Sequence, residues 1–134
     1  MWPNNDANQL DEGKMTTTFN AIAAILTIGF GLFGFLAPAF TAASLDLAPN
    51  GSNMGLSEMR ASVGGVFVVT GIAVLWLNNP MAYAVLGVVY AGATLGRIVS
   101  IILDNPPLIK AAIFGGIELI LALWLILANF NKTS

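Results

Sequence analysis

From Thr18 to Phe40 the chain runs without a single charged side chain. Wound as a helix at ~1.5 Å per residue, such a stretch covers the ~30 Å hydrocarbon layer of a bilayer. Three further apolar runs follow at about 58–77, 81–103 and 108–130. In lipid a crossing segment must satisfy its own backbone hydrogen bonds, so these runs read as helices and the fold class as all-α. Composition agrees: 57% of the 134 residues are hydrophobic and 9% are charged, against roughly 25% charged in soluble domains. A soluble fold of this length could not hide so much apolar surface, so lipid is expected to face most of the outside.

Turn signals separate the four runs. Pro49, Asn50-Gly51 and Gly55 mark the longest connection, after which Ser57 is a fair N-cap and Glu58 suits the positive end of a helix dipole. Asn78-Asn79-Pro80 reads as a tight turn. Asp104-Asn105-Pro106-Pro107 cannot continue one helix but can open the next. Four spans with short turns predict an integral membrane four-helix bundle, up-down-up-down, over residues 18–134, with both termini on one side. The positive-inside count ties: Lys14 and Lys132 fall on the terminal side, Arg60 and Lys110 on the other.

Residues 1–17 form a polar N-terminal tail, with Asp6, Asp11 and Glu12 against Lys14 and no apolar period. Alone it is expected to lack order, and to become ordered only against a neighbouring surface. Trp2, followed by Pro3, has nothing of its own to pack on and reads as a docking residue for the membrane surface or another subunit. A signal peptide is the competing reading of the first run, but its apolar stretch is too long and its flank too acidic.

Cys and His are both absent, which removes disulfides, thiolate chemistry, Cys/His zinc sites, iron–sulfur clusters and His-ligated haem. No catalytic residue, metal site or cofactor is expected. The formal net charge is −2 and there is no Lys/Arg cluster, so nucleic acid is not an expected partner. Gly29, Gly31 and Gly34 match G-x-G-x-x-G literally, but inside an apolar span and not between a strand and a helix. They are expected to serve helix packing, for which small residues let backbones approach in lipid. Gly64, Gly65, Gly92, Gly96, Gly115 and Gly116 read the same way. Trp76, Tyr83 and Trp124 lie toward span ends, where aromatic belts are ordinary.

The few embedded charges are more informative. Glu58, Arg60, Arg97, Asp104 and Glu118 all fall in the half of the bundle nearest the non-terminal loops. Arg97, Ser100 and Asp104 follow an i, i+3, i+7 spacing and so share one helix face. Arg97 lies roughly 9 Å from its helix end and Glu118 roughly 15 Å from its own, within reach of a long side chain between antiparallel neighbours. Ionised groups near a bilayer centre cost about 3 kcal/mol on insertion scales, so they pair or mark a site. Two readings stand: an ion-pair network that fixes helix register, or a polar pocket open to one face for a lipid headgroup, small amphiphile or ion.

The segments Leu56-Ser57-Glu58-Met59-Arg60-Ala61-Ser62-Val63-Gly64-Gly65, Leu95-Gly96-Arg97-Ile98-Val99-Ser100 with Asp104, and Gly116-Ile117-Glu118 together resemble the DUF4345 family, a domain family of unknown function. The resemblance implies a small bacterial membrane protein with four helices in which Glu58, Arg60, Gly64, Gly65, Gly96, Arg97, Asp104 and Glu118 belong to the family pattern; the polar tail departs from it. It implies no reaction. The leading expectation is a non-catalytic accessory or structural subunit of a larger bacterial membrane complex, respiratory or photosynthetic, in the inner (cytoplasmic or intracytoplasmic) membrane, with lipids and other membrane subunits as partners. The alternatives are a small-molecule or lipid-binding protein, even an enzyme, using the Arg/Glu pocket, and a homo-oligomeric transporter.

Overall fold

The computed structural model describes residues 5–132, and Trp2 lies outside them. Among the described residues the chain is all helical: α1 (Asn5–Leu36), α2 (Pro38–Ser44), α3 (Met54–Leu77), α4 (Pro80–Leu103) and α5 (Leu108–Phe130). All but α2 are long and apolar enough to cross a membrane. Large apolar side chains on their surfaces are accordingly bare, Trp76 at 86% exposure among them. A water-soluble domain rarely leaves so much of this surface uncovered.

The helix starts and stops follow local chemistry. Residues 5–17, expected as a tail without its own order, continue α1 without interruption. They hold no proline, and Asp6 sits in the first turn where a negative charge suits the dipole. At its other end α1 stops short of Phe40. Pro38 lacks the N–H that would continue the ladder, and Ala37, which the following proline ring crowds out of the α region, sits at φ −127°, ψ 58°. The chain restarts as α2 with Pro38 in its first turn.

The second span begins earlier than Ser57 suggests. Asn53 occupies the N-cap position, and Ser57 is already inside the helix with its N–H donating to the Asn53 carbonyl at 3.0 Å. Within α3 the stretch Met59–Gly65 is wound as a π-helix between α-helical Met54–Glu58 and Val66–Leu77. The third and fourth spans start and stop where the turn residues place them. Asn78 adopts φ 41°, Asn79 caps α4 by accepting from the Ala82 N–H at 2.9 Å, and Asn105 adopts φ 49° before the two prolines. Asparagine tolerates this left-handed backbone better than most residues.

The chain divides into two compact units, residues 17–77 and residues 78–132 with the opening turns of α1. In the first, α1 and α3 run antiparallel, for Gly34 meets Gly64, Gly31 meets Val68, and Ile28 meets Gly71. In the second, α4 and α5 form an antiparallel hairpin in which Gly87 meets Leu125 and Arg97 meets Gly115. Its core holds Tyr83, Leu86, Tyr90, Ala122 and Leu125. Tyr83 is therefore no belt residue: it is buried and its hydroxyl donates to Asn78 Oδ1 at 3.2 Å.

Candidate functional site

Arg97 projects from α4 toward α5. Its Nε donates to Glu118 Oε2 at 2.8 Å and its NH2 to Glu118 Oε1 at 2.9 Å, a two-pronged, charge-assisted pair. Three residues of α5 build the cradle. Gly115 leaves room for the arginine stem, since a Cβ there would stand 3.2 Å from Arg97 Cδ. Phe114 lies under the guanidinium, 5.2 Å from ring centroid to Cζ, at a range where the ring face attracts a cation. Glu118, one helical turn on, supplies the carboxylate. The side chains are 32% and 16% exposed, so the pair is half withdrawn from its surroundings.

The remaining charges of the expected cluster take other partners. Arg60, in the first unit, donates from NH1 to the Phe35 carbonyl. In an unbroken helix that oxygen would accept from the Ala39 N–H; at the Pro38 break it takes a cation instead, which also suits the negative end of α1. Glu58 is exposed and accepts from the Ser62 hydroxyl one turn on. Asp104 and Ser100 make no side-chain hydrogen bond or ion pair among the described residues. The six residues thus resolve into one tight pair, one helix-end clamp, one local carboxylate–hydroxyl bond and two side chains that hold nothing.

The glycines also divide. A Cβ on Gly64 would stand 2.6 Å from the Phe35 amide nitrogen, one on Gly34 2.8 Å from the Gly64 nitrogen, and one on Gly31 2.7 Å from the Val68 nitrogen. There backbone lies on backbone. Gly65 meets only ordinary contact, at 3.4 Å from the Arg60 carbonyl, and Gly29, Gly92, Gly96 and Gly116 meet nothing within 4 Å. Within their own units those four are not points of close helix approach. Two tight positions, Gly71 against Ile28 and Gly87 against Leu125, complete the set. Gly87 carried no sequence signal beyond lying one turn from Ala84 and Tyr83.

Buried polar side chains were the other omission. Thr27, Thr94 and Asn129 each donate to a carbonyl one turn back, on Ala23, Tyr90 and Leu125, at 2.8, 3.0 and 2.8 Å. Such self-contained bonds satisfy the groups locally. Among the described residues no group of acidic side chains is placed to hold a metal ion.

Nothing among curated proteins and nothing among solved structures matches the chain. A family model described as "Domain of unknown function (DUF4345)" matches residues 15–129, which hold all of α2, α3 and α4, most of α1 and α5, and Glu58, Arg60, Arg97, Asp104 and Glu118. With most of its length covered by that match, the chain belongs to the DUF4345 family.

Proposed function

We propose that this protein is an integral membrane subunit without catalytic activity of its own, four spans running up-down-up-down in a bacterial inner membrane, whose work is to associate with a larger membrane complex. The observation that carries this reading is the open glycine face of α4. Gly92 and Gly96 stand one turn apart, exposed, with no atom within 4 Å of where a side chain would begin. Val88, Leu95 and Val99 beside them are bare as well. The tight contacts inside each unit use their glycines, whereas these two are left for a neighbour, and small residues four apart are the usual means by which lipid-embedded helices approach.

Other readings have less behind them. A reaction centre on Arg97 and Glu118 would need groups free to engage substrate, and each already occupies the other. A transporter needs a polar path across the membrane, and no Asp, Glu, Lys or Arg stands in the halves of the spans at 18–28, 67–77, 80–91 and 119–130.

Gentle extraction from native membrane followed by native mass spectrometry tests the proposal. The wild-type chain should travel in fixed stoichiometry with a larger assembly, and Gly92→Leu with Gly96→Leu should release it without lowering its unfolding midpoint. A variant that stays in the assembly, or a wild-type chain that runs alone, would sink the idea.

A further inference from the structure

A cavity of about 450 Å³ lies within the first unit, where the connection after α2 folds back over the start of α3. Its walls are Leu47, Leu56, Met59 and Val63, and Glu58 and Ser62 stand in its lining. The volume falls inside the ~300–1,000 Å³ range of ligand sites, and an apolar wall with one or two fixed polar groups is their usual make-up. The π-helical stretch begins here, and such stretches gather at functional sites.

Glu58 is the group that decides the ligand. One carboxylate oxygen accepts from Ser62, which holds the side chain in place, and no cation pairs with it among the described residues. A carboxylate has about four acceptor positions, so most of its capacity is unused. Arg60, two residues on, is turned to the Phe35 carbonyl and does not line the cavity. The charge at the cavity is thus negative, which repels fatty acids and anionic headgroups. Glu58 is the one acidic residue of that lining, and among the described residues no three metal-ligating side chains come together.

We infer that this cavity binds an amphiphile with a primary ammonium headgroup, the ammonium on Glu58 and the first part of its chain along Leu47, Leu56, Met59 and Val63. The shared chemistry admits two sources, a bilayer lipid such as phosphatidylethanolamine or a free alkylamine. It is independent of whether α4 docks on another subunit.

The test is native mass spectrometry of the full chain in a maltoside detergent with dodecylammonium, dodecyltrimethylammonium and dodecanoate as probes. Dodecylammonium should be retained about tenfold better than either of the others, the scale set by a charge-assisted hydrogen bond in a half-dry site. Glu58→Gln, which keeps an oxygen for Ser62, should remove that preference. Ala48→Trp, a change at an exposed wall residue that fills the cavity, should abolish retention without shifting the unfolding midpoint. If phosphatidylethanolamine displaces the amine, the source is the bilayer; if it does not, a free amine is the ligand. Equal retention of dodecanoate, or wild-type retention by Glu58→Gln, overturns the inference.

Discussion

Gly64 in the first unit and Arg97 in the second both stand where two helices come together, and they close the gap in opposite ways. At Gly64 the α1 and α3 backbones touch, and a single added carbon would fall 2.6 Å from a main-chain nitrogen. At Arg97 the helices stay far enough apart to admit a whole guanidinium, which is then gripped by Glu118, Gly115 and Phe114. The first contact draws on dispersion between main chains and tolerates no volume; the second draws on charge and tolerates no loss of a partner. Fragility therefore has a different direction in each unit.

The sharpest way to break the comparison is at adjacent residues. Gly64→Ala should destabilise the chain by about 3 kcal/mol, because main chain cannot rotate aside as a side chain can. Gly65→Ala, with its nearest neighbour at 3.4 Å, should change stability by less than about 0.5 kcal/mol. Reversible unfolding in mixed micelles reads both; equal effects would mean that the α1–α3 approach is looser than described.

A middle-sized effect is expected at the ion pair. Arg97→Met or Glu118→Leu alone strands the other charge and should cost about 2 kcal/mol, reduced from the fully buried case by the arginine's exposure. The double replacement should recover most of it, so a double-mutant cycle gives a large coupling energy. If the double variant is as weak as the sum of the singles, the pair is no pair in the membrane.

The smallest effect has the opposite sign. Gly96→Ala meets nothing within 4 Å and should stabilise the isolated chain by about 0.5 kcal/mol through helix propensity alone. A loss of stability there would show that the α4 face is already occupied within the chain.

What could be read from the sequence follows the same division. The bounds of α4 and α5 are written in side chains that act locally, Asn79-Pro80 and Asp104 to Pro107, and the reach from Arg97 to Glu118 follows from rise per residue. Pro38 is equally visible, yet the uncharged run continues past it to Phe40 and masks the break, because hydropathy does not register a missing N–H. The partners of Arg60 and Glu58 were not legible, since one is a main-chain carbonyl and the other a serine one turn away. Nor was the glycine seam separable from its look-alikes: Gly64 and Gly65 carry the same letter, and only the position of Phe35 tells them apart.

The π-helical stretch Met59–Gly65 has a consequence for changes of chain length. Its i→i+5 winding fits about one more residue into the same rotation than the ~100° per residue of an α-helix allows, so removing one from this stretch would let it relax to regular winding with the turns on either side close to where they stand. A one-residue deletion is thus a change that α3 can absorb within Met59–Gly65, whereas the same deletion in the regular winding of Val66–Leu77 would turn the faces on its two sides by about 100° against each other.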